Sequence, residues 1–454
     1  MPQKIDKLLF IIISIGCLAS CKPKFDVPKP VKGNIDISRY IAIGSSITAG
    51  YADGALYYEA QKVSFANILA EQFKLIGGGH FNIPLVPASS NGISIIAGNT
   101  LNIAARSTFA NRTDCKGIVS LGPVKLNPTE NYGFFSSNIY NGTLPFNNLG
   151  LPNTKAIYIA FKGYGNIANN PSGNYNPFYR RMASYPPSSS ILSDAVNQNP
   201  TFFSLLIGND DVMAFALNGG ASDTITSTLR FNYHIDTIIN NLTKNGAKGV
   251  IGNIPDISSL PYFSTIPFNG LTIDSAQVVQ LNNLYSPLQI NINFTVGSNP
   301  FVITDASSNF LGFRQILQNE YVLLNVPLDS VKCNSYGSLI PIPDKYVLTA
   351  SEISLIQTAI SDYNIKLKAV AQLKGLAFVD VNSFYKQIKT GILYNGISLN
   401  AQFVKGGVFS LDGLQLNPIG QALLANEFIK SINLTYSSTI PEVDVTKYKG
   451  INFP

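Results

Sequence analysis

Apolar residues along this chain follow two patterns, short continuous runs and longer segments with helical spacing. The runs are bounded by Gly, Asp or other turn residues and predict buried strands. These strands lie at residues 39–44, 201–208, 248–256 (strand and turn) and 376–381. The helically spaced segments predict helices at about residues 62–75, 223–244 and 351–373, and a last helix that begins at Asn417-Pro418.

Strand and helix alternate, and the strands are apolar on both faces. That pattern predicts an α/β fold with a mainly parallel sheet covered by helices on each side. Long stretches rich in Asn, Pro, Ser and Gly interrupt the pattern, but no repeat or linker separates two cores. We therefore predict one domain with long loop insertions, which are typical of functional or partner-binding segments. The domain covers residues 39–436, with insertions at about 77–146, 162–200 and 258–344 and a tail at 437–454.

The first residues of the chain are typical of a secreted lipoprotein. A charged front and a short apolar run at residues 8–18 predict a signal peptide over residues 1–20. The run ends in Leu-Ala-Ser-Cys, which resembles the bacterial lipobox and implies lipidation of Cys21. No Asp follows that cysteine, so the resemblance implies an outer-membrane anchor, and residues 21–38 predict a tether. An ordinary signal peptide with a chance cysteine is the alternative.

Composition narrows the classes of partner. Only 13% of the residues are charged, and the net charge of +6 is scattered, which argues against a disordered or nucleic-acid-binding chain. Two His and no paired CxxC motif predict no metal site, and nothing in the chain predicts a cofactor. Cys115 and Cys333 would be the cysteines left after processing and lipidation. In an oxidising compartment they are candidates for a disulfide, a pairing that the sequence leaves open.

Four polar loops follow or flank predicted strand ends, where sites form in parallel sheets. They are "IAIGSSITAGYADG", "FNNLGLPNTKA", "LLIGNDDVMAFAL" and "FSLDGLQLNPIG". In this order they resemble the motifs of the SGNH/GDSL hydrolases, a family of esterases, lipases and carbohydrate deacetylases. The resemblance covers about residues 39–433. It implies a flavodoxin-like three-layer α/β/α fold and ester hydrolysis through a seryl intermediate.

Carried over to this chain, the catalytic positions of the family are only partly preserved. Ser46 matches the nucleophile and Asp412 matches the triad aspartate, but Gln415 stands at the position of the catalytic histidine. A Ser hydroxyl needs a base to take its proton, and a Gln amide cannot serve as one near neutral pH. The resemblance therefore implies a weak or inactive homologue.

The oxyanion-hole positions are altered as well. The backbone N–H of Ser46 remains a donor, while Asn153 falls where the family has Gly and Asp210 where it has Asn. We expect an ionised Asp210 to lack a donor and to oppose a developing oxyanion. A shift of the loop by one residue would place Asn209 in the donor role. Asp210 with Asp211 is also compatible with a carboxylate pair, a cation site or a simple helix cap.

Three functions remain open from the sequence. The first is a lipoprotein that binds a small ester or glycan ligand with little hydrolysis. The second is an active esterase with a rearranged base, for which His80 and His234 are the candidates. The third is a structural component of a cell-surface assembly, in which the Tyr- and Asn-rich stretch at residues 173–187 would serve as a contact.

Overall fold

The computed structural model describes residues 29–96, 99–221 and 223–454. The predicted signal peptide, Cys21 and the first part of the tether lie outside the described residues. Within those ranges, no helix combines the length and the apolar character needed to cross a bilayer.

Five parallel strands form the central sheet, in the order β2-β1-β3-β4-β5. All four predicted strands belong to it, so the α/β architecture with a parallel sheet is confirmed. The fifth strand, β2, lies in a segment that the sequence analysis treated as a loop. The strands are β1 (Tyr40–Gly44), β2 (Asn148–Gly150), β3 (Phe202–Leu206), β4 (Lys248–Gly252) and β5 (Ala377–Val379).

Helices flank the sheet. α2 packs against α7 and α4 packs against α5, while α5 and α7 both contact β4 and β5. Every residue of β1 and β3 is buried, as expected of a parallel sheet that is covered on both faces. The helices are α1 (Ser46–Ala49), α2 (Phe65–Lys74), α3 (Asp210–Ala216), α4 (Thr228–Thr243), α5 (Ala350–Lys374), α6 (Val381–Thr390) and α7 (Pro418–Tyr436).

Capping residues explain where two predicted helices begin. The helix predicted at residues 62–75 is broken, because Ser64 adopts an extended conformation and its hydroxyl accepts the N–H of Asn67, which starts α2. Ser227 starts α4 in the same way, so this helix begins later than predicted. The start of α7 agrees with the sequence, since the Asn417 side chain accepts the N–H of Gly420 and Pro418 occupies the first turn.

The predicted insertions contain regular structure of their own. A long hairpin of Ser107–Thr113 and Val119–Lys125 projects from the first, and the third builds two small apolar clusters around Phe301 and Phe294. Further strands are Tyr51–Ala52, Ala55–Leu56, Ser94–Ile96, Asn99–Ala104, Leu271–Ile273, Gly297–Asn299, Val302–Thr304, Phe313–Gln315, Tyr321–Val322, Val347–Leu348, Ile392–Tyr394 and Ile397–Leu399. Further α-helices are Tyr58–Lys62, Ala156–Ile159, Pro177–Met182, Ile191–Val196, Pro261–Ser264, Ser275–Tyr285 and Leu328–Cys333.

A disulfide ties two of these insertions together. Cys115 lies at the tip of the long hairpin and Cys333 ends a helix of the third insertion, and their Cα atoms are 6.5 Å apart. Lys332 forms an ion pair with Asp114 beside the bond. The pairing that the sequence left open is therefore present in the structure.

Candidate functional site

Ser46 lies immediately beyond the carboxyl end of β1, at the start of α1. The turn is tight, and Gly44 permits it, because a Cβ there would collide with the Thr48 side chain and with the carbonyl oxygen of Leu206. Gly150, at the end of β2, allows α1 a similarly close approach, since its Cβ would lie 2.5 Å from the Ala49 nitrogen. As a result Ser46 is packed closely between these strand ends and is almost fully buried.

Asn153 reaches Ser46 through its backbone. It has a left-handed conformation with φ of 57°, a region that Asn tolerates better than most non-glycine residues. In that conformation its N–H donates to Ser46 Oγ at 3.3 Å. Asn153, which the family resemblance places at a Gly position, therefore presents a backbone donor to Ser46.

A small cavity of about 20 Å³ brings the other aligned positions together. The cavity is lined by Ser46, Asn209, Asp210 and Gln415. Tyr385 of α6 also lines it, although it belongs to none of the sequence motifs. The volume suits a single group of about the size of water. Asp210 Oδ2, Gln415 Oε1 and the Tyr385 hydroxyl are enclosed and have no hydrogen-bond partner in the protein. Unpartnered polar atoms are costly to bury, so this concentration of them indicates a binding site.

The electrostatics of Asp210 correct one expectation. Burial, with the neighbouring Asp211 carboxylate as a further cause, raises the pKa of Asp210 to about 7. The Ser45 hydroxyl, the Thr154 backbone N–H and the Lys155 cation only partly offset this rise. Near neutral pH a large fraction of Asp210 is therefore neutral, and the expected fully ionised carboxylate is not what this environment favours.

Asp412 organises the last loop instead of contacting the Gln415 side chain. Its Oδ1 accepts the Ser410 hydroxyl at 2.9 Å and the backbone N–H groups of Leu414 and Gln415, each at 2.8 Å. Its Oδ2 accepts the backbone N–H of Gly54 at 3.0 Å. Oδ2 thus retains acceptor capacity, while burial raises the pKa of this carboxyl group.

Neither of the chain's two histidines lines the cavity around Ser46. His80 is exposed, and the adjacent Gly79 packs on Ser38, near the amino end of β1 and thus at the opposite edge of the sheet. His234 lies on α4, where its ring contacts Tyr233. The rearranged base that the sequence left open is therefore supplied by neither histidine at this cavity.

A cleft of about 960 Å³ opens beside the cavity, and Asn153, Asp210 and Leu414 line both the cleft and the surroundings of Ser46. Two of its aromatic walls, Tyr158 and Tyr164, stack with centroids 4.7 Å apart. All three predicted insertions contribute to the lining. Their residues include Lys125 from the first, Tyr175 and Phe178 from the second, and Tyr262 and Asn325 from the third.

Lys125 is a cleft residue that the sequence analysis did not single out. Burial lowers the pKa of its amine, and the Asp412 and Asp53 carboxylates partly counteract this effect.

Within the described part of the chain, no group of three or more His, Cys, Asp or Glu side chains could hold a metal ion. Comparison of the sequence with protein-family models and with curated proteins finds no match.

Proposed function

We propose that this chain is an SGNH/GDSL-type protein that binds a carbonyl-bearing ligand, an ester or an acylated glycan, at Ser46. The observation that carries the proposal is the N–H of Asn153 directed at Ser46 Oγ at the carboxyl end of β1. The strand order β2-β1-β3-β4-β5 supports it, because this is the flavodoxin-like order, in which ligands bind where β1 meets β3.

Chemistry at this site would be slow, since no imidazole lies beside the serine. In serine hydrolases, loss of the catalytic histidine lowers turnover on the order of 10⁶-fold. Gln415 shares the cavity with Ser46 but cannot accept its proton. The site keeps backbone donors for a carbonyl oxygen and lacks the group that drives acyl transfer, which favours binding over hydrolysis.

The cleft supports a ligand larger than the cavity itself. Its aromatic rings and the side chains of Asn153 and Asn325 combine apolar faces with neutral polar groups, and Lys125, Lys155 and Asp223 add charged groups. Such a lining is suited to the body of a ligand whose carbonyl oxygen enters the cavity.

The test is hydrolysis of 4-nitrophenyl acetate by the wild type, Ser46→Ala, Gln415→His and the double variant Ser46→Ala/Gln415→His. We expect slow wild-type turnover that Ser46→Ala changes little. Gln415→His should raise turnover at least tenfold, because Asp412 Oδ2 has capacity to orient an imidazole. The double variant should lose that gain, which would assign it to Ser46.

Brisk wild-type turnover that Ser46→Ala abolishes would contradict this proposal and favour an active esterase. Lys125 would then be the base to test, since it lines the adjoining cleft and burial lowers its pKa. Lys125→Met should in that case remove activity, while substitution of the exposed Lys74 should not.

We further propose that the protein is anchored to the outer membrane through lipidated Cys21. The Cys115–Cys333 disulfide supports an extracytoplasmic location, because such bonds persist in oxidising compartments.

A further inference from the structure

Asp210 occupies a position where binding of a carbonyl group requires a hydrogen-bond donor. Its Oδ2 is enclosed and has no protein partner, and the residue lines the cavity that contains Ser46. An ionised carboxylate there would face a ligand oxygen with negative charge and no proton to donate. The geometry thus leaves two options, a carboxylate that repels the ligand or a neutral acid that binds it.

The surroundings favour the neutral acid. The charged neighbour on the same helix is Asp211, a second carboxylate. The cation that opposes them is Lys155, but its amine is already engaged by Asp223 at 2.9 Å. Lys125 lines the same cleft, where the Asp412 and Asp53 carboxylates act on its amine. Three phenols near Asp210 have pKa values that burial raises, and they add no positive charge. These phenols are Tyr51, Tyr164 and Tyr385.

We propose that Asp210 serves the cavity as a neutral carboxylic acid whose O–H donates to the carbonyl oxygen of the bound ligand. The inference rests on the proposed function, and it would add the acid of Asp210 to the backbone N–H of Ser46 and to that of Asn153, which donates to Ser46 Oγ. A carboxylic acid kept neutral by an apolar pocket is a known way of building such a site in enzymes.

The proposal makes the ligand chemistry specific. A neutral acid donates to an acceptor oxygen such as the carbonyl of an ester or amide, and it offers no negative charge to attract a cation. Affinity for the ligand should weaken as the pH rises above about 7, because ionisation of Asp210 removes the donor and adds a charge.

The first experiment measures the protonation of Asp210 without any ligand. Infrared difference spectra between the wild type and Asp210→Asn are recorded from pH 4 to 9, with Asp211→Asn as the matched control. The wild type should show a neutral-carboxyl component that disappears with a midpoint near pH 7. That component should be missing from Asp210→Asn and persist in Asp211→Asn, whereas Asp211, whose pKa is raised to about 6, contributes a separate component at lower pH. Ionisation of Asp210 below about pH 5 would overturn the proposal.

The second experiment measures hydrogen-bond donation by Asp210 during turnover. All the variants compared contain Gln415→His, so the titration of the new histidine affects each of them equally. At pH 6, Gln415→His and Gln415→His/Asp210→Asn should hydrolyse 4-nitrophenyl acetate at rates within about threefold. At pH 8.5 the Asn variant should be faster by about tenfold or more. Gln415→His/Asp210→Leu, which has no donor, should be on the order of 100-fold slower at pH 6. A Leu variant as fast as the Asp form at pH 6 would refute donation.

The two experiments fail in distinguishable ways. If Gln415→His restores no hydrolysis, the proposed function has failed its test, while the infrared titration still decides the protonation state of Asp210. Thermal unfolding of each variant identifies any substitution that disrupts the fold. Asp210→Asn preserves the shape of the side chain and is the variant on which the decision rests.

Discussion

Asn153 shows how one backbone dihedral can direct a hydrogen-bond donor at a neighbouring residue without use of the side chain. A Gly at this position would adopt φ of 57° without strain, and Asn is among the few other residues that do so at modest cost. The donor to Ser46 is the backbone N–H, so the Asn side chain does not remove it. Ala would meet the same φ with a larger penalty, because it has no short polar side chain to stabilise the conformation.

Asp210 should leave a signature in the pH dependence of stability. The folded protein keeps a proton on Asp210 up to about pH 7, whereas the unfolded chain releases it near pH 4. Because the folded state binds more protons in this window, its stability falls as pH rises from about 4 to 7 and is then constant. Relative to Asp210→Asn, the wild type should lose on the order of 2–4 kcal/mol across the window.

Urea unfolding of both proteins at half-unit pH intervals would measure this difference. The raised pKa values of Asp211 and Asp412 act with the same sign in both proteins, so the comparison isolates Asp210 to first order. Parallel stability curves for the two proteins would show that Asp210 ionises normally.

Among the elements, the third insertion depends on a buried ion pair. Glu320 is 3% exposed, and its carboxylate accepts both Arg314 Nη1 and Nη2 at 2.7 Å. It also accepts the backbone N–H of Ala350, the first residue of α5. The pair therefore joins a hairpin of the insertion to the start of a helix that flanks the sheet.

Arg314→Met should destabilise the protein by about 3–5 kcal/mol, because it leaves the Glu320 charge buried without its partner. The double variant Arg314→Met/Glu320→Leu should recover part of that loss, since it removes the Glu320 charge as well, while Asp305, which Arg314 Nε also contacts at 2.7 Å, stays unpaired. Lys74→Met, which breaks the exposed pair with Glu71, is the control and should cost less than about 1 kcal/mol. Chemical denaturation would measure all three, and a similar small loss for Arg314→Met would contradict this account.

The sequence predicted the strands that contain a continuous apolar run and the helices that begin at a clear cap. β1, β3, β4 and β5 were recognisable because each contains a continuous apolar run. β2 was not, since it has only three residues, Asn148–Gly150, and Asn is unusual in a strand. Its Asn148 is used by tertiary contacts, as its amide donates to the Thr48 carbonyl oxygen.

The candidate site likewise contains residues that the sequence predicted and residues that it did not. Ser46, Asp210 and Gln415 were found because they stand in loops with an ordered set of motifs. Tyr385 and Lys125 were missed, since they belong to a helix and a hairpin with no local signal. Which distant side chain closes a cavity depends on packing across the whole fold, and no spacing along the chain encodes it.

At the scale of the whole molecule, the insertions and the sheet act together. The sheet edge positions Ser46, and the three insertions supply about half of the walls of the adjoining cleft. In the proposed function, the size and polarity of the ligand would therefore depend in large part on segments outside the common α/β framework. This division is typical of folds that carry different functions on the same scaffold.

The proposed anchor predicts how the protein is distributed in the cell. Cys21→Ala should abolish lipidation, because the acyl chains attach to that cysteine in the lipobox reading. We expect the variant to appear in the soluble fraction or to accumulate unprocessed, as measured by membrane fractionation and mass spectrometry. Substitution of Cys17, inside the predicted signal peptide, is the matched control and should leave the anchor intact. Normal processing and full membrane retention of Cys21→Ala would refute the anchor.

The Cys115–Cys333 bond spans 218 positions of sequence, and β2, β3 and β4 all lie within that span. A single protease cut at an exposed loop between the two cysteines would therefore break the chain without releasing a fragment. The nicked molecule would migrate intact on a non-reducing gel and separate into two pieces only after reduction. For a protein with long exposed loops, the bond makes cleavage of such a loop survivable, because noncovalent packing then has only to keep two tethered pieces together.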